Sequence, residues 1–258
     1  MCITISSQLS GTYHAACIGL EMVLEEHPDK EIFVLDSRAA SSTCALLVRR
    51  ARALMEAAGE DGDFGAVCDQ LRRYHATLRT CFTLENFDNL IKNGRMRPIV
   101  GTLLHSLGIH VIADATPEGT IHVADKARGI GKTYRAITAL MGASKDCTGA
   151  EVIISHCENL EGAMALKQQI LADLPVKRVD LLSCRGLTSF YAMRRASSWG
   201  IEPPVRPARC RRGFRRTPAG PLRGPTTRQP RRSPPNPCGD SVGADALIGP
   251  LEGPPAEP

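Results

Sequence analysis

The chain has 258 residues, 43% of them hydrophobic, with a formal net charge of +5 at pH 7 and a sequence pI near 8.7. That length and apolar content suffice for a sizeable core, and with no run of about 18 apolar residues neither a membrane span nor a secretion leader is expected. The charge is uneven: twelve arginines against five acids follow Met193, so the rest of the chain stands near −2, and its basic balance argues for no specific nucleic-acid interface.

The first predicted element is a short strand over residues 2–6, which breaks into the hydroxyl-rich turn Ser6-Ser7-Gln8-Leu9-Ser10-Gly11-Thr12. A helix is predicted over 11–26, with Ala15, Ala16, Ile18, Leu20, Met22 and Val23 near one face. Its first amides have no intrahelical partner and carry the positive end of the helix dipole, so the turn is laid out to receive a carboxylate or phosphate. Ser7, Ser10 and Thr12 add hydroxyls beside the flexible Gly11. The plainer reading of such a turn is an N-cap worth about 1 kcal/mol.

A strand over 31–36, ending in Asp36-Ser37, and helices over 39–59 and 64–78 complete a partial parallel α/β layer. The rhythm then changes to an α+β pattern: strand 80–84, helix 85–93, a short helix near 98–106, strand 108–114, a turn at Pro117-Glu118-Gly119, strand 119–124, helix 131–142, strand 151–156, helix 159–173 and strand 178–185. The fold class is therefore α/β, a partial parallel α/β domain over residues 1–78 followed by an α+β domain over 79–192. Beyond Ala192 no lysine occurs while arginine, proline and glycine dominate, the composition of a disordered tail. The ten cysteines form no Cys-x-x-Cys pair and no zinc spacing. Scattered through apolar stretches, they read as reduced, mostly buried thiols of a cytoplasmic protein.

Two chemical motifs fail on inspection. Gly129-Ile130-Gly131-Lys132-Thr133 ends like a phosphate-binding loop, but Lys126 stands where the first glycine belongs. His156, Cys157 and Glu158 are adjacent in a predicted strand, where neighbours point to opposite faces and cannot make a nucleophile–base pair.

Four strings carry a family resemblance. Ser6 to Tyr13 reads SSQLSGTY; Glu31 to Ser37 is a strand ending in Asp-Ser; Leu84 to Met96 reads LENFDNLIKNGRM, with Asn93 where the related pattern has a glycine; and Lys126-Ala127-Arg128-Gly129 is followed by Lys132. In this order they resemble the DegV family of bacterial fatty-acid-binding proteins, over Cys2 to about Ala192. The resemblance implies a carrier without cofactor or metal. It would hold a long-chain fatty acid between two domains, with Ser7, Ser10, Gly11, Thr12 and Arg95 around the carboxylate, and present that carboxylate to a fatty acid kinase, with Arg128 on the face offered to the kinase. Ser189 or Tyr191 would approach the same head group.

By the same resemblance the chain is N-terminally truncated, lacking an earlier strand and a Thr-Ser-Gln-Pro turn. It also leaves the family pattern near Met193, where G+C-rich codons read two bases later would spell Ala-Ala-Gly-Leu-Leu-Val-Gly. A frameshift there predicts that this string appears in the DNA without an early stop. Two alternatives stand beside the carrier: an α/β enzyme using Ser7 or Ser10 as nucleophile, and a non-functional gene fragment.

Overall fold

In the computed structural model the described residues are 1–84, 86–97, 108–144, 147–192 and 196–202. β1 (Cys2–Thr4) and β2 (Val34–Asp36) pair in parallel, Cys2 opposite Val34 and Thr4 opposite Asp36. Parallel pairing needs a crossover, supplied by α1 (Thr12–Glu26), so both strands deliver their C-terminal turns to the same edge. The predicted apolar face of α1 is buried only in part: Leu20 is buried beside Cys17, while Ile18, Met22 and Val23 are exposed. A helix against two strands finds cover for only a narrow stripe of its surface.

Helices α2 (Ser42–Ala58) and α3 (Phe64–His75) close over β2. Leu46, Leu47 and Leu71, all fully buried, pack with Phe33, Leu35 and Tyr74. Asp63 caps α3 by accepting from the Ala66 amide at 2.9 Å, and Arg72, Arg73 and His75 stand at its negative end.

The second sheet begins with β3 (Arg79–Leu84), so the chain changes sheets just after Leu78. It continues through α4 (Asp88–Lys92), β4 (Ile109–Ala115), β5 (Ile121–Arg128), α5 (Ile130–Ser144), β6 (Glu151–Cys157), α6 (Leu160–Asp173), β7 (Arg178–Ser183), α7 (Gly186–Ala192) and β8 (Ala196–Glu202). The strand order is β5-β4-β3-β8-β6-β7, antiparallel except for β6 with β7. Val152, Ile154, Ile137, Met141 and Leu166 form the core between one sheet face and α5 and α6. Leu84, Val111, Ala113 and Phe87 form a smaller cluster on the other face. Ile153 points away from the α5–α6 side and joins the core of α2 and α3, so both sheets belong to one compact unit.

Two further features depart from the sequence-based expectations. Residues 196–202, assigned to the disordered tail, form β8 in the centre of the sheet, with Trp199 opposite both Cys81 and Ile154. β3 and β6 each present an open row of amides and carbonyls to that slot, which backbone groups of almost any sequence can satisfy. α7 was not expected as a helix. The remainder of the tail, 203–258, lies outside the described residues, as does the short helix expected near 98–106.

In the β4–β5 hairpin, Ile112 pairs with Asp125 but Ala113 pairs with Val123, leaving Ala124 as an extra residue. This bulge reverses the alternation: Ile121 and Val123 pack with the Leu84 cluster, whereas Ala127 packs against the α5–α6 core.

An ion network ties α2 to the sheet edge. Glu151 takes Arg178 at 2.6 Å, Lys177 at 3.2 Å and Arg49 at 3.3 Å, while Asp180 takes Arg49 at 2.8 Å. Burial works against the ionised form of Glu151, yet hydrogen bonds and charge from Lys177 and Arg178 outweigh it and hold the carboxyl below its ordinary value. A depressed carboxyl adds stability that is complete above its unfolded value of about 4.3 and fades as pH falls through the lower folded value. Glu151→Gln should therefore lower the urea midpoint near neutral pH and converge with the parent chain in acid, measured by far-UV circular dichroism.

Candidate functional site

The C-terminal turns of parallel strands are where open α/β sheets bind ligands, and here two such turns meet. The Ser6 amide donates to the Ala39 carbonyl at 2.8 Å and the Ser37 amide to that of Thr4 at 3.2 Å, lacing residues 4–6 to 37–39. Asp36 fixes both turns, accepting from the Ser7 amide at 3.2 Å and the Arg38 amide at 2.8 Å. Arg38 and Ser41 take positive φ, 48° and 54°. The Ser37 carbonyl is 2.8 Å from His75 Nε2; burial holds that imidazole below its ordinary value.

Between these turns and the second sheet lies a cleft of about 460 Å³. Its wall is mostly apolar, with Ile5, Leu9 and Ala39 from the first layer facing Phe82, Leu90 and Ile121 from the second. At the turn end Ser10 and Arg95 line it together. Arg95 Nε donates to the Leu9 carbonyl at 3.2 Å, and its Nη1 binds the Asn93 carbonyl. Gly94, at φ 70°, supplies the left-handed turn that brings Arg95 round. Ser10 Oγ is 2.7 Å from Thr12 Oγ1, so the two hydroxyls act as a linked pair at the start of α1.

Of the residues singled out from the sequence, Ser10 and Arg95 line the cleft; Thr12 stands behind Ser10, and Gly11 occupies the N-cap without contacting the cleft wall. The Ser7 amide is committed to Asp36. Tyr191 lines the cleft from α7, but it is Thr188, not Ser189, that does so beside it. Arg128 lies away from the cleft, exposed at the end of edge strand β5. Arg38 and Ser41 escaped sequence reading, although parallel pairing of the first two strands would have brought both post-strand turns to one edge. The sequence from Ile99 to Ile112 is apolar enough to contribute to such a wall, and residues 99–107 of it fall outside the described residues.

A second cavity, of about 600 Å³, holds Thr83, His110, Tyr134, Glu158 and Glu161. Phe82 lines the cleft and its neighbour Thr83 this cavity, while Leu84 at the end of β3 borders both. Its two carboxylates make it a poor seat for an acid, and the apolar cleft is the better match to a lipid. In the failed phosphate-loop motif, Thr133 is fully buried and donates to the Gly129 carbonyl at 3.0 Å. Among the described residues eight cysteines are free thiols, five of them buried, and no group of metal-ligating side chains occurs.

The family model described as "Uncharacterised protein, DegV family" matches residues 1–203. The chain belongs to the DegV family. A DegV domain-containing protein of Streptococcus gordonii is 30% identical over 200 residues, which cover 78% of this chain and 70% of that one. Among solved structures, a DegV family protein from Eubacterium eligens loaded with heptadecanoic acid is similar at 28% identity with a TM-score of 0.72, covering 78% of this chain and 71% of its own. The Streptococcus pneumoniae Fatty Acid Kinase (Fak) B3 protein loaded with linoleic acid is similar at 29% identity and TM-score 0.73, covering 78% and 70%. The DegV match runs through β8, so the family domain extends past the boundary expected at Ala192. No helix among the described residues of this DegV chain is long and apolar enough to cross a membrane.

Proposed function

We propose that this chain is a fatty acid carrier: it holds a long-chain fatty acid in the cleft, carboxylate at Ser10, Thr12 and Arg95, and presents that carboxylate to a fatty acid kinase. The observation that carries the reading is an apolar cleft ending at a hydroxyl pair and a guanidinium. At about 0.8 kcal/mol per buried CH₂, ~14 methylenes leaving water gain on the order of 11 kcal/mol before the entropy of binding is charged. Burial of the tail supplies affinity, and the hydroxyls and Arg95 orient the head. The fatty acids held by the similar Eubacterium and Streptococcus proteins are of this length class.

The kinase partner is supported by the name of the similar Streptococcus pneumoniae protein, Fatty Acid Kinase (Fak) B3, and by exposed Lys126, Arg128 and Lys132 at the end of β5 and the start of α5, which suit an acidic partner surface. The carrier role, rather than catalysis, rests on Ser10: its hydroxyl is paired with Thr12 instead of with an imidazole, and a nucleophilic serine needs an adjacent base.

Denaturing extraction of the purified chain followed by mass spectrometry tests the reading. Long-chain fatty acid in near one-to-one amount is expected, and Ser10→Ala with Thr12→Ala should weaken retention about tenfold or more, the effect of losing a charge-assisted hydrogen bond of roughly 1.5–3 kcal/mol. No fatty acid in well-folded protein sinks the carrier. An acyl-enzyme mass adduct on Ser7 or Ser10 would then put the enzyme reading first, and absence of both would favour the fragment.

A further inference from the structure

Ser6 is fully buried and joins three segments that are distant in sequence. Its amide donates to the Ala39 carbonyl at 2.8 Å, its Oγ accepts from the Gln8 amide at 3.2 Å, and its hydroxyl donates to the Gly119 carbonyl at 2.7 Å, across 113 positions of chain. Gly119 sits at the tip of the β4–β5 hairpin with φ 91°, and a Cβ there would lie 2.4 Å from Ser6 Oγ and 2.8 Å from Arg38 Cα. Only glycine allows both the backbone conformation and the approach. Beside this contact Arg38 Nη1 donates to the Pro117 carbonyl at 3.2 Å. The hairpin tip is braced from within, by Thr116 and Thr120 hydroxyls 2.9 Å apart and by the Gly119 amide donating to the Thr116 carbonyl at 2.9 Å.

The segments joined here are opposite banks of the cleft. Ile5, Leu9 and Ser10 line it from the turn, and Ala115, Gly119 and Thr120 from the hairpin. We propose that Ser6 and Gly119 form a clasp that positions the head-group turn against the hairpin tip and sets how fast ligand enters and leaves the cleft. Ser6 is a positioning residue, and it acts through the turn that carries Ser10. That the ligand is a fatty acid rests on the carrier reading; the clasp itself does not.

The hydroxyl is replaceable by another donor, which gives the test its control. With cis-parinaric acid, a fluorescent fatty acid, as probe, Ser6→Ala is expected to raise both the association and the release rate tenfold or more in stopped flow, and Ser6→Thr to restore them. Gly119→Ala pushes the two banks apart from the other side, and because its Cβ also meets Arg38 Cα and its φ is strained, it should act in the same direction with a larger effect than Ser6→Ala. Hydrogen exchange on the ligand-free chain provides the arm that needs no ligand: both variants should speed exchange at residues 6–10 and 115–121 together and leave α6 unchanged. Unchanged exchange in the hairpin overturns the clasp. So does faster release with unchanged association and a matching loss of thermal midpoint, the pattern of a merely weakened fold. A parent chain that fails to bind the probe while exchange behaves as expected overturns the fatty-acid reading alone.

Discussion

Ala115→Trp is expected to abolish lipid retention while leaving the fold in place. Ala115 lines the cleft at the end of β4, where its pairing with Ile121 is a backbone matter that the substitution leaves intact. An indole projected into a cleft of about 460 Å³ takes the space of the acyl chain, and the transfer free energy of the displaced methylenes, about 0.8 kcal/mol each, is lost together. Each 1.4 kcal/mol lost weakens binding about tenfold, and several displaced methylenes remove more than that, so fatty acid recovered by extraction should fall from near one-to-one to below about a tenth, with an unchanged far-UV spectrum. Full occupancy in the variant would place the lipid elsewhere.

The second large effect concerns stability. Ile153 is fully buried and, although on β6 of the second sheet, packs in the core made by β2, α2 and α3. Ile153→Ala removes contacts that hold the two sheets together and leaves a cavity in a densely packed place, at a cost of about 2–5 kcal/mol. Chemical denaturation should show one transition moved to lower denaturant. Two separate transitions in the parent chain would instead make residues 1–78 and the second sheet independent units, and the loss would then be confined to one of them.

Much of this architecture was legible because it rests on local pattern. The break from strand to hydroxyl turn at Ser6 located α1, and Thr116-Pro117-Glu118-Gly119 located the hairpin. What escaped depends on pairing between distant segments. Nothing in Ala196–Glu202 marks a central strand, because that strand is defined by the slot between β3 and β6 and not by its own composition. The exposed side of α1 follows from how little sheet lies beneath Ile18 and Met22. At the site, Ser10 and Arg95 were readable as chemistry, while Arg38 and Ser41 enter the cleft only through the parallel pairing of β1 with β2. In the sequence Ser6 is one more hydroxyl of the turn, because its partner Gly119 lies 113 positions away.

The bulge at Ala124 sets a rule about length. On either side of it, residues of the same parity serve different cores: Ile121 and Val123 the cleft side, Ala127 the helices. That strand has one residue to spare. Without Ala124, Ile112 would still stand opposite Asp125 and Ala113 opposite Val123, now as consecutive pairs of an unbroken ladder, with Ile121 and Val123 still on the cleft side and Ala127 still on the side of the helices. Descendants of this chain can therefore lose a residue at the bulge without turning either half of the hairpin over.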